Sequence, residues 1–526
     1  MLRRAAESAA APWLALLLLV AAAHGGTLAD GFVWDDAKII VENPATRDLS
    51  RIGEVVLSPD QVRPYYRPLN RASYLVDHAL FGMDARAFHA VNLLVHAASV
   101  LLLFALARRL LGATWTAFLA ASLLAVHPIH GEAVAFVSAR NSLLALAFAL
   151  AALLLFVDAT RTRSRALAWL SGGAFFLGLA SKEQAAMVLP VAAAWLFLPG
   201  TGAAWRGWRA WRALVPHVCA LGVYLVLRSI ALGAPVGAAP AAQGLLARLA
   251  PDAWVMPRYL WLTLWPARLT IFHVASPPSG VLEILATAAT WLAVAAAVAV
   301  LVRRPALAST VGLVWLAANL VPIANVVPLA ATTPLAERFF HAPAVGIWLV
   351  VADAARRLAA GGGARRAIVL ACSAVALVAL AGRSAARTRD WHDDLALARA
   401  AVSAEPRAVG AWFDLGVALK NAGDLAGAER AWRAALSVDP RHAGTLTQLG
   451  TAAAVRGDYA QAETLLRAAI EADPELATAH LNLARVYDRT GRQAEALREY
   501  EAGLALIDRP EERQPAAVAR VRELRR

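Results

Sequence analysis

The stretch PWLALLLLVAAAHGGTLADGFVWDDAKIIVENP, residues 12–44, passes within a few positions from an unbroken apolar run to a pair of acids. Its first part, near residues 11–28, has the composition of a membrane-spanning helix, for which about 20 mostly apolar residues suffice. Asp35 and Asp36 then stand where such a helix would leave the bilayer. Ionisable groups at a membrane face are costly and commonly functional, so this stretch bears on architecture and chemistry together. Arg3 and Arg4 ahead of the apolar core would also suit a signal peptide. The many apolar runs that follow favour an uncleaved first membrane helix.

Composition supports a membrane protein. Of 526 residues, 59% are hydrophobic and only 17% charged, yet the formal net charge is +13. That pairing is expected where Lys and Arg gather in cytoplasmic loops. The Arg residues fall in short clusters between apolar runs, which speaks against a nucleic-acid surface. Cys219 and Cys372 both lie inside apolar runs and offer neither a disulfide framework nor a metal-binding spacing. The Ala- and Arg-rich composition points to a GC-rich bacterial genome.

Working outward from residue 12, candidate spans fall near 11–28, 88–107, 115–130, 141–158, 166–182, 185–200, 213–231, 281–302, 306–324, 338–355 and 367–382, about eleven in all. Arg clusters at 3–4, 108–109, 161–165, 206–212, 303–304 and 356–366 occupy alternate loops, which the positive-inside rule makes cytoplasmic. The loops at about 29–87, 131–140, 232–280 and 325–337, and the turn near Lys182, then face outward. The segment WVMPRYLWLTLWPARLTIF, 254–272, carries three Trp and two Pro and reads as interfacial or re-entrant rather than spanning. Eleven crossings from an inside N-terminus leave the C-terminus outside.

Beyond residue 383 the apolar runs stop and a period of 34 begins. Gly423, Gly457 and Gly491 keep that spacing, as do Pro406, Pro440 and Pro474. The blocks AWFDLGVALKNAGDLAGAERAWRAALSVDP (411–440), TLTQLGTAAAVRGDYAQAETLLRAAIEADP (445–474) and AHLNLARVYDRTGRQAEALREYEAGLALID (479–508) each read as helix, Gly turn, helix and stop. This is the tetratricopeptide period and pattern. Three repeats plus the half repeat RDWHDDLALARAAVSAEP (389–406) reach the number a stable stack needs. Such a stack makes a concave groove suited to an extended peptide.

The first outward loop is too long for a simple connector. It holds WDD at 34–36 and YYRPLNRASY at 65–74, and the next outward loop is HPIHGEAVAFVSARN, 127–141. Asp35, Asp36 and Glu132 could be solvated loop acids. The recurrence of acids, histidines and arginines at the outward ends of several spans favours a site instead.

These residues resemble a known family. FVWDD, YYRPLNRASYLVDHALFGMDARAFHAVNLLVHA, AVHPIHGEAVAFVSARNSLLALAFAL, SKEQ and ERFFHAPAVG are similar, in the same order, to motifs of the transmembrane-and-tetratricopeptide-repeat O-mannosyltransferases. That family lies within the GT-C superfamily of polytopic glycosyltransferases. The resemblance runs from about Asp30 to the end of the chain. It implies transfer of a sugar, mannose in the family, from a polyprenyl-phosphate carrier to Ser or Thr hydroxyls of proteins on the non-cytoplasmic side.

The chemistry expected of such a site follows from its charges. A hydroxyl attacking an anomeric carbon gains from a carboxylate base in hydrogen-bond reach. A leaving phosphate is already anionic and calls for cations rather than a proton donor. Asp35 is the expected base, with Asp36 its alternative or hydrogen-bonded partner. Glu132, Arg67, His127 and His130 are expected to line the sugar or acceptor pocket. Arg140, Lys182 and Arg338 are candidates for the carrier phosphate, oriented by Glu183 and Glu337. Lys182–Glu183 could instead be a snorkelling helix-end pair, and Glu337–Arg338 a structural ion pair. His89 and His96 read as packing residues.

Asp35, Asp36, Glu132 and a donor phosphate could hold Mg²⁺ or Mn²⁺ through oxygen. The resemblance implies no metal, and no cofactor is expected beyond the lipid-linked sugar donor.

The expected fold is all-α: a GT-C-like membrane domain over 1–382, tetratricopeptide repeats over 383–510, and a basic tail at 511–526. The expected setting is a bacterial inner membrane, with the N-terminus cytoplasmic and the repeats periplasmic. Expected partners are the lipid-linked donor and an acceptor protein held in the repeat groove, with no nucleic acid. Two alternatives stand beside this reading: a non-catalytic membrane-anchored repeat scaffold, and a GT-C transferase acting on a glycan or lipid.

Overall fold

A computed structural model describes residues 2–59, 65–199, 201, 208–233, 249–303, 305–324, 335–507 and 514–525. Among the described residues the chain is built of helices, with no strand. It divides into two compact units, residues 1–271 with 275–393, and residues 272–274 with 394–526.

In the first unit, each of the eleven apolar segments is a helix. Among the described residues six helices are long and apolar enough to cross a membrane, and a bent pair would make seven, fewer than the eleven apolar runs. The six contain Ala10–Ala29, Ala85–Leu111, Val137–Thr162, Arg212–Leu232, Val281–Val300 and Gly363–Trp391. The other apolar runs form shorter helices: Thr114–Val126, Arg165–Ser181, Val188–Phe197, Leu307–Leu320 and Ala344–Ala359. The doubtful segment 254–272 gives the helix Asp252–Leu264, 13 residues long. At 1.5 Å per residue that is about 20 Å, short of a hydrocarbon core of about 30 Å.

Helix Arg140–Thr162 is largely buried, packed against Arg165–Ser181 and Ala85–Leu111. The helix Val281–Arg303 is the opposite case. None of its apolar window is buried, and Leu282 and Leu292 are 82% and 71% exposed. Leu307–Leu320 and Ala344–Ala359 cross closely at Gly312 and Gly346. A Cβ added to Gly312 would lie 2.6 Å from the Gly346 carbonyl oxygen.

The break that shapes the site falls at His127–Pro128. A residue before proline is pushed out of the helical region, and His127 accordingly has ψ 129. Helix Thr114–Val126 stops there, and the chain resumes as Pro128–Ala135, bent by 50°. Gly131–Ala135 and Val137–Ala139 then form two short turns before Arg140 opens the long helix. HPIHGEAVAFVSAR therefore folds into the bundle, and every residue from His127 to Arg140 is buried.

The second unit repeats one motif. Helix pairs Val409–Asn421 with Leu425–Val438, Ala443–Val455 with Tyr459–Ala472, and Ala477–Arg489 with Gln493–Ala505 stack in order. Gly423, Gly457 and Gly491 make the turns at φ +87, +85 and +79, a region glycine enters without steric cost. Asp424 and Asp458 cap the second helices of the first two repeats through the backbone N–H of Gly427 and Gln461. The period read from the sequence is this stack. The first unit extends to Asp393, so RDWH, read with the half repeat, belongs to the membrane-helix unit. Part of the basic tail forms the helix Pro515–Leu524.

Candidate functional site

The two loop acids have different surroundings. Trp34 has φ +54, a left-handed conformation that is rare for a bulky residue and costs energy that its surroundings must offset. Its ring is held between Phe136, at 5.3 Å between centroids, and the Arg338 guanidinium, 5.6 Å from the ring centre. Asp35 follows directly and is half-buried. Asp36 is wholly buried. Its carboxylate accepts from the backbone N–H of Ser138 at 2.8 Å, from the Ser138 hydroxyl, and from the Val33 N–H at 3.3 Å. Burial raises its pKa from the usual 3.8 to about 7, while the Ser138 bonds pull the other way. Asp36 thereby ties the acid loop to the motif 127–141.

Beside Trp34, Glu132 and Arg338 form an ion pair, and Glu132 also accepts from the Arg338 backbone N–H at 3.0 Å. Glu132 is fully buried. Lys182 is buried at the end of Arg165–Ser181, and its ammonium donates to Ser142 Oγ at 2.9 Å. It faces the Phe339 ring at 5.4 Å. Arg67 and Arg338 lie close enough to repel this ammonium, and Glu183 and Glu132 close enough to attract it. Glu183 is shared between Arg67 at 3.0 Å and Arg228 at 3.2 Å. Cations thus outnumber acids here: Arg67, Arg228, Lys182 and Arg338 meet Glu132 and Glu183.

A crevice opens next to this cluster. Arg338, Gln184, Ser142 and Asn319 supply its polar lining, and Ala145, Leu146, Ala149, Val188 and Trp315 its apolar wall. The crevice sets the Arg338 guanidinium and three neutral polar side chains against an apolar wall.

The other expected site residues lie elsewhere. Arg140 is fully buried and pairs with Asp77 at 2.5 Å, while donating to Asn92, Ser73 and the Phe88 carbonyl. Glu337 accepts from Arg387 at 2.8 and 3.0 Å and from the Thr270 N–H at 2.7 Å. His127 bonds the Thr263 carbonyl at 2.9 Å through Nε2 and accepts from the Ile129 N–H through Nδ1. His130 accepts from Trp348 Nε1 at 3.2 Å and shares a proton with His341 across 2.9 Å. His96 and His24 pack beside them, giving a buried group of five histidines. His89 is buried and reaches the Gly31 carbonyl at 3.1 Å. Among the described residues, no group of three His, Cys, Asp or Glu is arranged to hold a metal ion.

Sequence reading missed Arg228, Ser138, Ser142 and Arg387. Arg228 did carry a signal, being a single arginine inside an apolar span. The serines and Arg387 carried none.

Comparison with known proteins covers both units. The pattern of the dolichyl-phosphate-mannose-protein mannosyltransferase family matches residues 75–232, and tetratricopeptide-repeat patterns match 409–442 and 447–511. The chain is 32% identical over 182 residues to the human protein O-mannosyl-transferase TMTC2, covering 32% of this chain and 22% of that one. It is 30% identical over 264 residues to Tmtc2 of Drosophila melanogaster (47% and 28% covered). Against the Caenorhabditis elegans protein O-mannosyl-transferase F38B6.6 the identity is 30% over 176 residues, with 31% and 25% covered. The chain thus spans about a quarter of the length of these relatives. Membrane helices followed by repeats, in the same order as these matches, support a likeness to the transmembrane-and-tetratricopeptide-repeat O-mannosyltransferases, of GT-C type.

Proposed function

We propose that the chain is a membrane glycosyltransferase that moves mannose from a polyprenyl-phosphate carrier to Ser or Thr hydroxyls of proteins. The observation carrying this reading is the excess of cations at Arg67, Arg228, Lys182 and Arg338, next to an apolar-walled crevice and one residue from Asp35 through Trp34. A phosphate placed against Lys182 and Arg338 would balance that charge, and an isoprenoid tail suits the wall of Ala145, Ala149 and Val188.

In the transfer step, Asp35 takes the proton of the acceptor hydroxyl as its oxygen bonds to the anomeric carbon. The bond from that carbon to the phosphate oxygen breaks, and its electron pair stays on the phosphate. The cations stabilise the charge that develops there. Asp36, pinned to Ser138, holds the Asp35 loop in place. The acceptor chain would be presented by the repeat groove, on the non-cytoplasmic side of a bacterial inner membrane.

The test uses the full-length protein in lipid vesicles, with radiolabelled polyprenyl-phosphate mannose and Ser/Thr-containing peptides. Label should enter peptide, and Asp35→Asn should lower the rate by at least about 100-fold, the size of a general-base contribution, with expression unchanged. No label in peptide, or label in glycan or lipid alone, rejects the protein-acceptor reading. Full activity in Asp35→Asn removes the base.

A further inference from the structure

The last membrane helix, Gly363–Thr388, ends against the catalytic motifs rather than beside them. Ser384 donates to the carbonyl of Val126, the residue before the HPIH break, at 2.7 Å. One turn later Arg387, 3% exposed, grips both oxygens of Glu337 and donates to the Leu269 carbonyl at 2.7 Å. Its side chain also passes 3.5 Å from where a Cβ on Gly131 would stand. Trp391, also buried, stacks on Phe136 with centroids 6.0 Å apart and planes at 26°. Phe136 in turn supports Trp34. The Gly31 N–H donates to the His392 carbonyl at 3.1 Å.

Two separate chains of contact therefore run from this short segment into the site. Arg387 fixes Glu337, which neighbours Arg338. Trp391 backs Phe136 and Trp34, which neighbours Asp35. We propose that Arg387 and Trp391 are positioning residues for sugar transfer, Arg387 setting Arg338 at the carrier phosphate and Trp391 setting the Asp35 loop. The segment between the membrane helices and the repeats is thus part of the active-site frame and not a linker. This rests on the transfer reading above, in which Arg338 meets the donor.

The physical basis is the planar guanidinium held at two points, Nη2 donating to both oxygens of Glu337 and Nη1 to the Leu269 carbonyl, which fixes orientation as well as charge. Lysine at 387 keeps the charge but its single nitrogen cannot hold both points in that geometry. In the full-length protein in lipid vesicles, Arg387→Lys should raise the donor KM by about 10-fold or more while leaving the acceptor KM within about two-fold, as expected for loss of one charged hydrogen bond. Glu337→Gln should do the same, and the double variant should be no worse than either single one. Trp391→Leu should lower kcat with little change in donor KM.

Hydrogen exchange read by mass spectrometry gives a readout independent of sugar. Arg387→Lys should speed exchange at 335–341 and Trp391→Leu at 31–37, with helix 140–162 unchanged in both. Faster exchange throughout the first unit, or wild-type exchange at both segments, overturns the proposal. Local exchange changes in the variants, with no sugar transfer by the wild type, would keep the coupling of Arg387 to segment 335–341 and of Trp391 to segment 31–37 and remove the transfer reading alone.

Discussion

At the scale of single residues, the adjacent acids Asp35 and Asp36 have different surroundings, one half-buried and the other buried and bonded to Ser138. Both stood out in the sequence because carboxylates beside an apolar run are costly. Their different surroundings were not legible there, since Ser138, which holds Asp36, and Arg338, which lies over the neighbouring Trp34, are about 100 and 300 positions away. The same holds for Arg140, whose charge is visible in the sequence but whose partner Asp77 is set by the packing of two helices. The pKa of Asp36 supplies a pH test. Its folded value of about 7 lies above the usual 3.8. Between those values the folded chain holds a proton that the unfolded chain has released, so the Asp36 contribution to stability falls as pH rises through that window and is level above it. Thermal unfolding in detergent at pH 5 and pH 8 should show this loss in the wild type, and Asp36→Asn should shrink the difference. An equal difference in the variant would show that Asp36 does not titrate in this way.

At the scale of elements, the apolar runs were readable because hydropathy follows run length, and each became a helix. Where runs are interrupted, the sequence said less. Pro128 bends one apolar run by 50°, and Lys182 ends another inside the bundle. The group of five histidines was hidden for a different reason, since it gathers side chains from positions 24 to 341. The three full repeats were legible, because each glycine turn and each helix pair is fixed by neighbours within one period, whereas the start of the half repeat was not. The crossing of Leu307–Leu320 with Ala344–Ala359 offers an element-scale prediction. Gly312→Leu must push apart two backbones in near contact, at a cost of about 1–3 kcal/mol or more for overpacking. The melting temperature in detergent should fall by several degrees, whereas Gly173→Leu, where an added Cβ meets nothing within 4 Å, should leave it nearly unchanged. Equal effects would show that the crossing is not tightly packed.

At the scale of the whole molecule, the transfer reading needs the acid loop and the repeats in one compartment. Cysteine substitutions at Lys38, exposed in the loop, and at Arg407, exposed in the repeats, should both react with an impermeant thiol reagent from the same face of the membrane. Reaction from opposite faces would separate donor and acceptor and defeat the proposed reaction. The helix Val281–Arg303 carries a further consequence. With none of its apolar window buried by the described residues, its side chains would meet fatty-acyl tails over most of their surface in a bilayer, so that oiliness and length should matter there more than shape. Shuffling the order of residues 285–300, apart from Trp291, which donates to the Ala253 carbonyl at 2.8 Å, should leave insertion and melting temperature close to wild type. The same shuffle in residues 142–157 of the central helix should prevent assembly, because there every neighbour has been cut to fit.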